Sequence, residues 1–352
     1  MNVKPLFKLM VEKKASDLFF APFAPAKIKI DGKIMPVNKL EMTPKMVKQA
    51  AFELMDEDLL DRFTRELEVD FAISEPGLGR FRVNVFHQRG NVAMVLRYIT
   101  SEMPTLDELG MPEQLKELVM LKRGLVLMVG ASGNGKSTTL AAMINHRNEK
   151  TSSHIITIED PIEFLHPNKQ SIVNQREVGL DTKSYARALK SAMRAAPDVI
   201  QIGEIRDRES MQSAIDMAGT GHLCLATLHS NNAPETLDRI INMFPQEQHL
   251  QVFMDLAHYL RAIISQRLVR SRTGKRVAAV ELMLNTPHIK DLILKGDISE
   301  VKEALKDSGE KGVQNYDDAL LELYKAGTIS LDEAMAHADS RSNLEAKVNF
   351  GA

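Results

Sequence analysis

The stretch GLVLMVGASGNGKS, residues 124–137, decides the fold. The apolar run 124–129 predicts a buried strand, and residues 136–147 have helical spacing. Between them, residues 130–137 match the pattern G-x-x-x-x-G-K-[ST], in which backbone N–H groups and the positive end of the following helix hold phosphate oxygens. A glycine turn before a helix is the simpler alternative. The flanking strand and helix favour a loop that binds ATP and Mg²⁺.

Each residue of this loop has an expected task. Lys136 would contact the β- and γ-phosphates, and the Ser137 hydroxyl would contact magnesium. The predicted nucleotide-binding residues are Gly130, Ala131, Ser132, Gly133, Asn134, Gly135, Lys136, Ser137 and Thr138.

Strands and helices alternate after the loop. Short apolar runs predict strands at 154–158, 198–203 and 222–228, and the helices are expected at 182–196, 207–218 and 234–243. A hairpin with its turn at Thr273–Gly274 would extend the same sheet. Nearly all-apolar strands separated by helices predict an α/β fold with a mainly parallel sheet covered on both faces.

The amino-terminal third has a different pattern. Alternating residues predict strands within 15–37 and 71–99, with hairpin turns at Asp31–Gly32 and Arg89–Gly90 and helical spacing between the two regions. Segregated strands and helices indicate an α+β module. The expected division is an amino-terminal domain 1–99, a linker 100–113, a core 114–286 and a carboxy-terminal helical region 287–352.

Composition limits the function. The 352 residues are 44% hydrophobic and 26% charged, and the net charge of -2 gives no general attraction to nucleic acid. The single cysteine, Cys224, lies in an apolar strand, so a core position is expected and cysteine-based zinc sites within one chain are excluded. No run approaches the ~18 apolar residues of a membrane span, and lysines interrupt any signal-peptide core. We therefore expect a cytoplasmic protein.

Carboxylates follow two of the predicted strands. The stretch DVIQIGEIRDRE, 198–209, ends its strand on Glu204, which is long enough to reach a magnesium-bound water. The segment IEDPIEF offers Glu159, Asp160 and Glu163 after the preceding strand. Carboxyl ends of neighbouring parallel strands converge at one crevice, so one acid can hold the metal while another orients the attacking water. A solvated acidic turn is the alternative for the second segment.

Two histidines bracket the strand in TGHLCLATLHSNNA, residues 220–233. His222 and His229 are seven residues apart, a spacing that does not favour a shared metal. A histidine at a strand end can sense hydrolysis through a hydrogen bond, whereas a structural histidine is the alternative.

Four motifs, GASGNGKST, IEDPIEF, IGEIRDRE and GHLCLATLHSNNA, resemble in this order the Walker A, Asp box, Walker B and His box of the secretion ATPases that drive type II secretion and type IV pili. The segments ASDLFF and KIDGKI are similar to the PAS-like amino-terminal domain of that family. The resemblance spans essentially the whole chain. It implies a RecA-like P-loop ATPase core, an α+β PAS-like amino-terminal domain and a carboxy-terminal helical region.

Within this family, the chain resembles one branch more than the others. Assembly and type II secretion members usually carry a four-cysteine zinc module, which one cysteine rules out, so the chain resembles the retraction branch, PilT and PilU. PilT-like members carry a motif similar to AIRNLIRE that is not found here, whereas DEAMAHADSRSNL and REVGLDTKSYARALK are similar to the PilU group. The resemblance implies a homo-hexameric retraction motor at the cytoplasmic face of the inner membrane. A PilT-like ATPase and the inner-membrane pilus platform protein would be its partners.

The resemblance implies a role for each residue that matches a functional position of the family's motifs. Glu163 would be the general base or water-orienting residue, Glu204 the Walker B acid that acts on magnesium through water, and His222 and His229 the His-box residues. Arginines would neutralise charge in the transition state. The candidates, each with a surface ion pair as its alternative, are Arg82 and Arg97 of the first domain and Arg194 and Arg206 of the core.

Two other functions stay open. In one, the chain is an accessory pilus-base subunit whose own hydrolysis is dispensable. In the other, a RecA-like core serves a nucleic-acid translocase, which the charge balance and the PAS-like domain oppose.

Overall fold

A computed structural model describes residues 3–30, 32–100, 102–307 and 314–350. The chain forms two compact units. Unit 1 comprises Met1–Glu102 with Glu163–Leu165, and unit 2 comprises Met103–Ile162 with His166–Ala352.

Unit 1 has an antiparallel sheet, which contains six strands within the described residues, in the order β3-β2-β1-β6-β5-β4. The helices are α1 (Lys4–Glu12), α2 (Pro44–Phe52) and α3 (Glu57–Glu66). The strands are β1 (Asp17–Phe20), β2 (Pro25–Ile30), β3 (Lys33–Glu41), β4 (Glu68–Glu75), β5 (Gly79–Gln88) and β6 (Asn91–Ile99).

The alternation that predicted these strands places one set of side chains inside. In β5, Phe81, Val83 and Val85 are fully buried in one core with residues of all three helices. Arg89 and Gly90 both have positive φ, and Gln88 pairs with Asn91, so the predicted β5–β6 hairpin turn is confirmed. The other predicted turn includes Asp31, which lies outside the described residues.

Unit 2 has a sheet in the order β13-β12-β7-β11-β10-β8-β9. These strands are β7 (Gly124–Val129), β8 (His154–Glu159), β9 (Ile172–Glu177), β10 (Val199–Ile202), β11 (Leu223–Leu228), β12 (Leu260–Arg270) and β13 (Arg276–Leu284). Within the described residues, β13 alone among these strands runs antiparallel to its neighbour. The expected mainly parallel sheet is confirmed, and β9 is an edge strand that the apolar pattern did not reveal.

Helices cover both faces of this sheet. They are α4 (Gln114–Val119), α5 (Lys136–Lys150), α6 (Tyr185–Ala192), α7 (Arg208–Gly219), α8 (Ala233–Asn242), α9 (His249–Tyr259), α10 (Pro287–Lys295), α11 (Ile298–Asp307), α12 (Tyr316–Lys325), α13 (Leu331–His337) and α14 (Arg341–Phe350). Helices α4 and α5 share one core with Val126 and Met128, and α6 to α11 share another with Leu125 and Leu127. The predicted fold class, an α/β core with an α+β amino-terminal module and carboxy-terminal helices, is confirmed.

Three local features bear on the earlier expectations. Leu106 and Met111, from the stretch expected to be a linker, are buried with Val126. Cys224 is fully buried, and burial raises the pKa of its thiol to about 12, so its core position is confirmed. Across the described ranges, no helix is long and apolar enough to cross a membrane.

Candidate nucleotide site

The loop between β7 and α5 can be built only with glycine at its first position. Gly130 has φ of 145°, and a Cβ there would lie 2.5 Å from the carbonyl oxygen of Gln266. A Cβ at Gly135 would lie 2.9 Å from the side-chain nitrogen of the same glutamine. The glycines therefore let the loop lie directly against β12.

Lys136 lies folded over this loop. Its ammonium donates hydrogen bonds to the carbonyl oxygens of Gly130 (2.7 Å) and Ala131 (3.0 Å), and the residue is buried. A buried cation next to a glycine loop and a helix N-terminus fits a polyphosphate anion. Ser137, the residue expected to contact magnesium, lies half-buried in the first turn of α5. Magnesium, when bound, neutralises phosphate charge and polarises water.

Gln266 fixes the loop from the neighbouring strand. Its Nε2 donates to the carbonyl oxygen of Asn134 at 2.7 Å, and its Oε1 accepts a hydrogen bond from Thr139 Oγ1 at 2.8 Å. The side chain is almost completely buried. Sequence reasoning missed this residue because it belongs to no motif and lies about 130 positions after the loop. Only the strand order brings β12 next to β7.

Glu204 follows β10 at the carboxyl edge of the sheet and is held from two sides. Arg206 Nε lies 2.7 Å from Oε2, and His229 Nε2 lies 2.9 Å from Oε1. Arg206 also reaches Asp160, with Nη1 and Oδ2 separated by 3.3 Å. The hydrogen bond to Glu204 raises the pKa of Arg206. The structure therefore brings together four of the predicted acidic and basic side chains.

Glu159 belongs to the acidic segment IEDPIEF, and its contacts indicate a structural role. It is buried and accepts hydrogen bonds from Thr157 Oγ1 (2.6 Å) and Gln175 Nε2 (3.2 Å). Near it lies the Tyr185 hydroxyl, which is buried and has no hydrogen-bond partner within the described residues. Burial, then the charge of Asp160, raises the pKa of Tyr185.

His222 and Arg194 are not brought to this crevice. His222 precedes β11, its carbonyl oxygen accepts from the N–H of Gly124 at 3.0 Å, and it therefore lies at the amino edge of the sheet. Arg194 is exposed after the end of α6 and before β10, at the same amino edge. A strand of six residues separates the edges by roughly 20 Å. A role of either residue at its own chain's phosphate loop is therefore not supported.

The remaining candidates belong to unit 1. Arg82 and Arg97 are directly opposite each other on β5 and β6. Like charges in this position are unfavourable, and two acids compensate. Arg97 Nε lies 2.9 Å from Asp17 Oδ1, and Arg82 Nε lies 3.7 Å from Asp70 Oδ1. Glu163 is exposed in the short segment that also belongs to this unit.

A strand, a glycine loop with a buried lysine, a helix, and an acid at the carboxyl edge of a neighbouring parallel strand define a P-loop ATPase. Residues 2–290 match the model of the family described as type II/IV secretion system protein. The chain belongs to this family, and it is an ATPase.

Individual relatives support this family assignment. The chain is 51% identical over 352 residues to the type IV pilus ATPase PilU of Pseudomonas aeruginosa, covering all of this chain and 92% of that one. It is 40% identical to the type IV pilus retraction ATPase PilT of the same organism, over 98% of this chain and 100% of the relative. A crystal structure of the pilus retraction motor PilT with bound ADP superposes with a TM-score of 0.92 at 42% identity, over 98% of this chain and 99% of that one. The predicted resemblance to the PilT/PilU branch, and to PilU within it, is confirmed.

Proposed function

We propose that this chain is a subunit of a homo-hexameric motor that uses ATP hydrolysis to retract type IV pili, which produces twitching motility. The observation that carries the proposal is the position of Lys136 and Glu204 at the same edge of the sheet, each held by hydrogen bonds, in a chain that aligns over its full length with a pilus ATPase. Its proposed partners are a PilT-like retraction ATPase and the inner-membrane platform protein, at the cytoplasmic base of the pilus.

In this proposal each residue of the site has its own role in binding or hydrolysing ATP. Lys136 and the loop N–H groups bind the phosphates, while Ser137 and, through water, Glu204 would hold magnesium. His229 and Arg206 keep the Glu204 carboxylate in one orientation. Glu163 orients the attacking water, and Arg82 and Arg97 supply the positive charge that stabilises the transition state.

Hydrolysis produces movement only if ATP binds one conformation of the ring more tightly than another. The role of the chain as a motor can be separated from that of an accessory subunit by Lys136→Ala, which removes the phosphate-binding ammonium. We expect this variant to reduce retraction force or frequency in cells whose PilT-like ATPase is active. Unchanged retraction there, with loss only when the PilT-like lysine is also replaced, would support the accessory role instead.

The assignment of Glu163 has its own test. Glu163→Gln removes a general base but keeps the side chain's size, so ATP turnover should fall below detection while ATP affinity stays within about twofold. Purified protein, phosphate release and a binding titration are sufficient. The matched control is Glu247→Gln, at an exposed glutamate of unit 2. Normal turnover in Glu163→Gln would remove Glu163 from the mechanism.

A further inference from the structure

A cleft of about 240 Å³ opens beside the phosphate loop. Gly130, Ala131 and Asn134 form its loop side. The other side is formed by Asn231, Leu268, Arg267 and His337. The last of these, His337, comes from the carboxy-terminal helices, within the segment DEAMAHADSRSNL, so a region with no assigned chemistry contributes to the loop's surroundings.

His337 is fixed at the end of α13. Its Nε2 lies 3.3 Å from Glu333 Oε1, one helical turn earlier. Its carbonyl oxygen accepts a hydrogen bond from Arg267 Nη1 at 3.2 Å, and the same nitrogen donates to Asp339 Oδ1 at 2.7 Å. The Arg267 guanidinium lies 3.9 Å from the centre of the Tyr316 ring. These contacts hold the carboxy-terminal helices against β12.

Strand β12 connects these helices to the loop. Gln266 and Arg267 are consecutive, and consecutive strand residues point to opposite faces of a sheet. Gln266 holds the loop at Asn134, whereas Arg267 holds α13 through the carbonyl group of His337. Two consecutive residues of one strand therefore contact both the loop and the carboxy-terminal helices.

We propose that the carboxy-terminal helices form one wall of the nucleotide site, with the His337 imidazole contacting the terminal phosphate of ATP. The cleft is lined by Gly130 and Ala131, the two residues whose carbonyl groups hold the Lys136 ammonium. In such loops this lysine contacts the β- and γ-phosphates, so the cleft opens at the terminal-phosphate end. Arg267 and His337 are the basic residues of that wall, and Asp339 and Glu333 are their acidic partners. The proposal rests on ATP binding as stated under Proposed function.

Binding titrations of the full chain test this contact. We expect His337→Ala to bind ATP and inorganic tripolyphosphate on the order of tenfold more weakly, the loss of one hydrogen bond to a charged group, and ADP within about twofold of the wild type. His337→Gln, which keeps a hydrogen-bond donor, should be intermediate. His258→Ala, at an exposed histidine of α9, is the control and should match the wild type.

Each outcome has a distinct meaning. Unchanged ATP and tripolyphosphate affinity in both His337 variants overturns the proposal. An equal loss for ADP and ATP also overturns it, because the contact would then lie elsewhere on the nucleotide. Wild-type protein that binds none of the three ligands would show that the proposed function itself fails. Circular dichroism of His337→Ala and His337→Gln checks that both variants are folded, so that a weakened affinity reports on the contact.

Discussion

The imidazole of His229 and the carboxylate of Glu204 are in hydrogen-bond contact, with Nε2 and Oε1 2.9 Å apart. The two residues follow neighbouring parallel strands, in which Ile202 is paired with Ala226. Arg206 occupies the second oxygen of the carboxylate. Glutamate has one more rotatable bond than aspartate, and these two contacts restrict it. The acid at the end of β10 is thus oriented by its surroundings.

Replacing His229 should release one side of that carboxylate. We expect His229→Ala to lower kcat by about tenfold or more while the affinity for ATP changes by less than about threefold, because a hydrogen bond to a charged group contributes about 1.5–3 kcal/mol. Steady-state hydrolysis and a binding titration measure the two quantities. His288→Ala, an exposed histidine of α10, is the control. Turnover equal to that of the wild type would contradict an orienting role.

Removal of the Gln266 side chain should loosen the phosphate loop. Gln266→Ala loses both hydrogen bonds and leaves a cavity, so we expect the free energy of unfolding to fall by about 2–4 kcal/mol and ATP affinity by about tenfold. Gln266→Met keeps the volume without the hydrogen bonds and separates packing from polar contacts. Gln251→Ala on the surface of α9 is the control. If denaturant unfolding gives the same free energy of unfolding for Gln266→Ala and for this control, Gln266 does not stabilise the phosphate loop.

Gly203 is closely packed, although its φ is not one that favours glycine. A Cβ there would lie 3.0 Å from the Tyr185 hydroxyl oxygen and 3.1 Å from both Glu159 Cα and the Ile158 carbonyl oxygen. Gly203→Ala should destabilise the protein by about 1–3 kcal/mol and reduce turnover by displacing Glu204. Adding Tyr185→Phe should restore only part of the stability, since two backbone contacts remain. Full restoration by that second change would show that the hydroxyl alone sets the limit.

Glu281 should make stability depend on pH. It is buried, accepts hydrogen bonds from Ala233 N–H (2.8 Å) and Ser265 Oγ (3.1 Å), and burial raises its pKa from 4.5 to about 7. A raised carboxyl pKa means that the folded state keeps a proton that the unfolded state loses. The contribution to stability is therefore complete below pH 4.5 and is lost as the pH rises to about 7.

The variant Glu281→Gln can make the same hydrogen bonds but cannot titrate. Relative to the wild type, its free energy of unfolding should rise with pH across this window, by an amount on the order of 3 kcal/mol. Urea unfolding at intervals from pH 4.5 to 8 measures the difference, in which the other titrating groups cancel. Parallel curves for the two proteins would contradict the raised pKa.

The motifs were found from sequence because their chemistry is local. The phosphate loop needs its glycines, lysine and serine at fixed spacing, and an apolar run that ends in Gly203–Glu204 marks a strand end. His229 follows its strand directly, so its position at the strand end was predictable for the same reason, while its role stays a prediction. Arg206 was chosen as a transition-state arginine, and the structure shows it paired with Glu204 and Asp160. Its role beyond that ion pair stays a prediction.

The sequence by itself determined the loop, the strands around it and the edge at which Glu204 would lie. These features depend on backbone geometry and on the spacing of apolar side chains, both of which are set within a few residues. Tertiary structure alone decided which distant residues meet there. Strand order places Gln266 of β12 beside Gly130, and the carboxy-terminal helices place His337 in the adjoining cleft. Strand direction separates His222 from His229. Pairing of strands far apart in the chain depends on the packing of the whole sheet, and no short pattern contains it.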